Sequence, residues 1–186
     1  FDYDDTERLL KEGASAIILC NPQNPTGNCW TADQLRKLGD LANKYDALMV
    51  ADEIHCDFIN KHAEYVPYST LGDAYAMNSV SVKSASKSFN LAGHRTAYMY
   101  SQNKDLIGRI VKDGVHYRGL LHAMGTIACN AAYKHGGTYM DDMQSPAPGS
   151  NVLAPFVYGA LAGTQQLDSV RSDLHQIIEE GDTCGH

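Results

Sequence analysis

The chain has 186 residues, and 15 Lys and Arg against 22 Asp and Glu give a formal net charge of −7. That length is about one domain, and a hydrophobic share of 44% is ordinary for a globular chain and enough to bury a core. The acidic balance argues against nucleic acid or an anionic membrane as the main partner; no run of about 18 apolar residues predicts a membrane span, and residues 1–13 lack the basic and apolar regions of a signal peptide.

In chain order, the first expected strand is Ala16–Cys20, AIILC. It is short, continuous and apolar, as a strand covered on both faces should be. It runs into Asn21-Pro-Gln-Asn-Pro-Thr-Gly27, a stretch dense in turn residues. A helix should start at Thr31, where Thr31 and Gln34 fit a capping box. Leu35, Leu38, Leu41 and Ala42 recur at helical spacing, and the helix should end near Tyr45. A second buried strand is expected at Leu48–Ala51, running into Asp52-Glu53-Ile54-His55. Residues 57–75 are polar and mixed, read as a loop with a short helix. Further strands fit Ser79–Val82, leading into Ser84-Ala-Ser-Lys-Ser-Phe-Asn90, and Thr96–Tyr100. Helices are expected at Lys104–Gly114 and Thr126–His135. From Gln144 the texture changes: residues 145–149 are a breaker cluster, 151–163 are apolar and small, and Val170, Leu174, Ile177 and Ile178 fit one helix face.

Apolar strands with an intervening helix predict an α/β sheet. Such sheets bind ligands beyond the carboxyl ends of their strands. The polar clusters after Cys20, Ala51 and Val82 all lie at such ends, so three loops are expected to converge on one edge. The five cysteines, 20, 29, 56, 129 and 184, form no C-x-x-C pair. Cys20 and Cys129 read as buried free thiols, which points to a reducing compartment, the cytoplasm. The histidines are scattered, with no H-x-x-x-H or H-E-x-x-H spacing, so no metal site is expected. Neither glycine-rich nucleotide fingerprint occurs.

Lys87 follows a buried strand, where partial desolvation would free its amine to attack a carbonyl. Lys83, four residues earlier, is assigned no role. Asp52, at a strand end, would suit the protonated nitrogen of a pyridine ring that acts as an electron sink. Alternation places Asp52 and Ile54 on one side and Glu53 on the other. The amide of Asn24 would suit a phenolate oxygen, although an Asn before Pro25 also serves a turn.

Together, N-P-Q-N-P-T-G at 21–27, A-D-E-I-H at 51–55 and S-A-S-K-S-F-N-L-A-G at 84–93 resemble the large domain of the pyridoxal-phosphate-dependent aminotransferase superfamily, class I/II and fold type I. Motif order and separation match as well, over about residues 1 to 140. The DEIH form, with His55 where many transaminases carry Tyr, is similar to the cystathionine β-lyase (carbon–sulfur lyase) branch. The resemblance implies a mostly parallel sheet flanked by helices, incomplete at both ends. It implies a partial cofactor-binding large domain over 1–143 and an atypical tail over 144–186.

The implied cofactor is pyridoxal 5'-phosphate, held by Lys87 as an internal aldimine. Asp52 would pair with the pyridine nitrogen. Asn24 and His55 would lie near the ring oxygen, and Ile54 against a ring face. Ser84, Ser86 and Arg95 would bind the phosphate; Arg95 stands where aspartate-aminotransferase-like members place a phosphate-binding arginine. The implied activity is β-elimination from sulfur amino acids, with transamination as the alternative and a catalytically inactive remnant or interaction module as another. An amino acid would be the substrate, nucleic acid and membrane would be no partners, and the full-length family implies a homodimer. The family's early phosphate loop, its stacking aromatic and its later substrate-carboxylate arginine have no counterpart here, so weak or absent cofactor binding and very low catalysis are expected of this chain alone.

Overall fold

The computed structural model describes residues 1–59, 64–113 and 123–144. The expected helix end at Gly114, the 145–149 breaker, the apolar 151–163 stretch and the helix face from Val170 to Ile178 lie outside these residues.

The element order is α1 (Tyr3–Lys11), β1 (Ala16–Cys20), α2 (Ala32–Lys44), β2 (Leu48–Asp52), a 3-10 turn (Tyr68–Thr70), α3 (Asp73–Ala76), β3 (Ser79–Lys83), α4 (Ala85–Ser88), a second 3-10 turn (Ala92–His94), β4 (Tyr98–Tyr100), α5 (Lys104–Asp113), α6 (Ala123–His135) and α7 (Gly137–Gln144). The four strands form one sheet in the order β1-β2-β3-β4. The first three are parallel, with Cys20 opposite Asp52 and Asp52 opposite Val82, while β4 returns antiparallel to β3. This is the α/β, mostly parallel sheet that the residue pattern predicts. β4 begins at Tyr98 rather than Thr96, because the 3-10 turn at Ala92–His94 and a left-handed Arg95 at its end delay the strand.

α2 carries the expected capping box: the Gln34 N–H donates to Thr31 Oγ1 (3.3 Å) and the Thr31 N–H to Gln34 Oε1 (3.0 Å). Such a cap contributes about 0.5–2 kcal/mol. Leu35, Leu38 and Ala42 of α2 pack on Leu19, Met49, Ala51, Tyr68 and Leu71. Each fully buried large apolar side chain contributes roughly 1.5–3 kcal/mol. Gly39 lets this packing close, since a methyl there would stand 2.5 Å from the Tyr68 hydroxyl and 2.6 Å from the Tyr75 ring. α1 escaped the sequence reading, yet it carries a complete signature: an Asp2 N-cap, Asp4 and Asp5 in its first turn, and Arg8 and Lys11 in its last. It is tied to α2 by Glu7, which accepts from Lys44 (2.6 Å) and Tyr45 (2.8 Å). Those partners and Lys11 pull the Glu7 carboxyl down to about 2.

The opposite face of the sheet differs. β1 is not covered on both faces as expected: Ile18 is 78% exposed and Met99 of β4 is 49% exposed. An apolar run states that a strand has no polar side, but not that both sides have a neighbour. Cys20 and Cys129 are half-buried rather than buried, and among the described cysteines Cys56 is the buried one. Cys20 points to the thinly covered face, next to Ile18 in the alternation, and Cys129 lies on α6, whose outer positions face solvent. Among the described residues no helix is long and apolar enough to cross a membrane.

Candidate active site

The three loops meet where the sequence pattern places them. The Asn21 N–H donates to the Asp52 carbonyl (3.0 Å) and the Glu53 N–H to the Val82 carbonyl (3.0 Å), so each loop starts from a hydrogen bond to the next. Asn21 is buried, and its side chain does the fixing: Nδ2 donates to the Val66 carbonyl (3.2 Å) and Oδ1 accepts the Trp30 N–H (3.2 Å). Beyond it both X-Pro bonds, Asn21–Pro22 and Asn24–Pro25, are cis. Asn24 itself is exposed at the loop tip. Sequence reading treated Asn21 as a turn residue; its three partners lie on β2, before the first 3-10 turn and before α2, and no local pattern reports them.

β2 ends on two neighbouring acids that the pleat sends to opposite sides. Asp52 stands on the thinly covered face between Cys20 and Val82 in register and is half-buried. Its Oδ1 accepts the Ile54 N–H (3.1 Å), and Oδ2 has no hydrogen bond among the described residues. Glu53 is 0% exposed. Its Oε1 accepts the Tyr68 N–H (2.9 Å), its Oε2 accepts the Tyr100 hydroxyl (2.9 Å), and Lys83 Nζ stands at 3.8 Å. Extended geometry stops at Asp52 and the chain turns over Ile54–Asp57, so Ile54 is placed by a turn and not by strand alternation.

Lys83 is thus not the featureless control that its sequence surroundings suggest. Burial alone would pull its ammonium down, but Cys56, Tyr100 and Glu53 together outweigh burial and hold it above its ordinary value. Burial and then the Asp57 charge push the Cys56 thiol up to about 11, which leaves it protonated and inert. This cluster lies behind Asp52, and linear sequence could not show it because Glu53, Tyr68, Lys83 and Tyr100 come from four segments.

Lys87 lies in α4, half-buried. The Ser84 hydroxyl caps that turn: it accepts the Ser86 N–H (3.0 Å) and donates to the Thr96 carbonyl (2.6 Å). The Ser86 hydroxyl is half-buried, with no hydrogen bond to a described residue. Arg95 is exposed, in the left-handed region at φ 47°, with no ion pair among the described residues. His55 reports the convergence of the two motif loops. Burial and then the Lys87 charge push its imidazole below the ordinary value, and the Asp52 charge pulls the other way. A cation and an anion from separate loops therefore both act on one half-buried ring.

Against this geometry, the family model for Aminotransferase class I and II matches residues 1–183. The chain belongs to this family. It is similar to cystathionine beta-lyase PatB of Bacillus subtilis, 32% identical over 147 residues, which are 76% of this chain and 37% of that protein. It is similar to alanine aminotransferase of Mycobacterium bovis, 30% identical over 98 residues, 53% of this chain and 22% of that one. Among solved structures it resembles cystalysin of Treponema denticola, which contains a pyridoxal 5'-phosphate cofactor: the TM-score is 0.72 at 29% identity, over 77% of this chain and 37% of that one. The chain thus spans little more than a third of PatB and of cystalysin.

Proposed function

We propose that this chain carries the cofactor-binding edge of a pyridoxal-phosphate-dependent enzyme acting on amino acids, and that its reaction is β-elimination from a sulfur amino acid of the cystathionine kind. The observation that carries the reading is the meeting of Asp52, His55 and Lys87 at one sheet edge, with Asp52 Oδ2 without a hydrogen bond among the described residues. The lyase relatives and DEIH at 52–55 support this reaction; Arg95 and the alanine aminotransferase relative favour the second reading, transamination.

The residues present fit the cofactor. Asp52 Oδ2 would accept from the pyridine N–H, and an anion within a few Å keeps that nitrogen protonated. Asn24 and His55 would face the ring oxygen, and Ile54 a ring face. The Ser86 hydroxyl and the Arg95 guanidinium would take the phosphate, with Ser84 acting through the turn it caps; a guanidinium fork and hydroxyls suit a doubly charged phosphate. When bound, pyridoxal phosphate supplies an electron sink for the charge left when the substrate loses its α-proton. Lys87 would hold the cofactor through its ε-amine, and the same amine, once free, would remove that proton as general base. Delivery of that proton by Lys87 to the departing sulfur would release a thiol, and water would hydrolyse the remaining enamine to pyruvate and ammonia. In transamination Lys87 would again carry the proton, and the amino group would pass to a 2-oxo acid. The reading extends to a partial large domain over 1–143 with an atypical tail over 144–186, a homodimeric parent, and the cytoplasm; the free thiols of Cys20, Cys29, Cys56 and Cys129 support the last.

The test uses excess pyridoxal phosphate followed by borohydride. Mass spectrometry should find the pyridoxyl group on Lys87, and Lys87→Ala should abolish it. Label spread evenly over the other lysines overturns the assignment. Pyruvate from L-cystathionine, against new amino acid from an added 2-oxo acid, separates the two reactions in the chain supplied with pyridoxal phosphate.

A further inference from the structure

Backbone hydrogen bonds hold the two junctions between neighbouring loops, Asn21 to Asp52 and Glu53 to Val82. The turn that carries Lys87 hangs beyond both. Among the described residues one side-chain hydrogen bond joins this turn to the Asp52 turn: Ser88 Oγ donates to Asp57 Oδ2. Ser88 is 0% exposed, so water cannot replace that partner, and a buried hydroxyl left unpaired is costly. On the other side of Lys87's turn, Phe89 is clamped. Its ring meets Tyr133 edge-on with centroids 5.6 Å apart and stacks on Tyr139 at 6.1 Å. Gly136 admits the ring, because a methyl there would collide with it and stand 2.5 Å from the Ala132 carbonyl. The two residues after Lys87 are therefore anchored to different elements, one to the β2 turn and one to α6 and α7, while Lys87 itself stays half-buried.

We infer that Asp57 and Ser88 are a positioning pair, which fixes the lysine turn against the Asp52–Asp57 turn so that the Lys87 amine and the Asp52 carboxyl keep one separation. The inference rests on the reading that these two groups serve one cofactor. It goes beyond that reading by assigning the spacing to two residues that touch neither cofactor nor substrate. Geometry matters here because an error of about 1 Å at a reacting group can cost on the order of a hundredfold in rate.

A purely structural link would change stability alone, so the readout must follow the site. His55 provides one without any cofactor, since Lys87 and Asp52 both act on its ring. Its titration in the unliganded chain can be followed by NMR of labelled imidazoles, assigned with His55→Gln. Lys87→Met removes the cation and sets the full upward shift. Ser88→Ala and Asp57→Ala should each reproduce at least half of that shift. Asp57→Asn, which keeps an acceptor for the Ser88 hydroxyl, should titrate as the parent does. In parallel, borohydride trapping at Lys87, relative to the other lysines, should slow roughly ten- to a hundredfold in the two alanine variants and recover in Asp57→Asn. Unchanged titration and trapping in a folded Ser88→Ala chain overturn the pair. Should Ser88→Ala not fold, Asp57→Ala against Asp57→Asn decides on the same criteria. If Lys87→Met leaves His55 unmoved, the site reading fails first and the pair falls with it; a shift in Lys87→Met without one in Ser88→Ala sinks the pair alone.

Discussion

Asp52 and Glu53 carry the same functional group one residue apart and live in opposite surroundings. On the Glu53 side the sheet edge is closed: each carboxyl oxygen has a donor, and Lys83 stands beside it. On the Asp52 side one oxygen caps a turn and the other has no hydrogen bond among the described residues. The pleat thus separates a charge that builds the edge from a charge left for chemistry. The same contrast runs along the sheet, since Met49 faces a complete core while Ile18, on the other face, meets solvent.

The largest test of this contrast is Glu53→Ala, which removes the acceptor of the Tyr68 N–H and of the Tyr100 hydroxyl and the charge beside Lys83. It should cost about 3–5 kcal/mol of unfolding free energy in urea. Asp52→Ala should cost about 1 kcal/mol, the scale of one hydrogen bond. Equal losses would erase the distinction. Next, Met49→Ala should cost about 2–5 kcal/mol, whereas Ile18→Thr should stay within about 0.5 kcal/mol; a large loss at Ile18 would mean that its face is covered. Gly39→Ala should cost about 1–3 kcal/mol by overpacking against Tyr68 and Tyr75.

The smallest effect is on pH. The folded chain holds His55 below its ordinary value, so folding favours the neutral imidazole. The stability this gives is complete above the unfolded value of about 6.5 and is lost as pH falls through the folded value. The urea midpoint should therefore drop on going from pH 7 to pH 5, and drop less in His55→Gln. An equal drop in both would show that His55 does not contribute.

Much of the edge was legible in the residues. Parallel strands reading as apolar runs, a capping box at Thr31 and polar clusters at three strand ends were enough to bring Asp52, His55 and Lys87 to one margin, with Asn24 exposed at the tip of the first loop. What was hidden is non-local. Lys83 looks idle because its partners, Glu53, Cys56 and Tyr100, come from the residues just past β2, the turn that follows them and β4. Ser88 looked like filler beside Lys87 because Asp57 lies 31 residues away. Ser84 and Ser86 look equivalent in S-x-S, yet the first spends its hydroxyl on Thr96 and on the turn it caps. The exposed Ile18 face was misread for the reverse reason: a run of apolar letters names a preference and says nothing of whether a neighbour satisfies it. α1 was simply missed, although its charges were ordered along it as a helix dipole prefers.

Asn21 carries one more consequence, for handling the protein. Its three hydrogen bonds close the loop at its root, while the tip is held by its own backbone pairs, Gln23 N–H to Asn28 carbonyl at 2.8 Å and Gly27 N–H to Gln23 carbonyl at 2.7 Å. Tension or bulk applied at the tip is therefore absorbed before it reaches the sheet. Asn28 is exposed there, and a fluorophore attached through Asn28→Cys, in a chain whose own thiols are replaced by serine, would serve as a local beacon for the first loop.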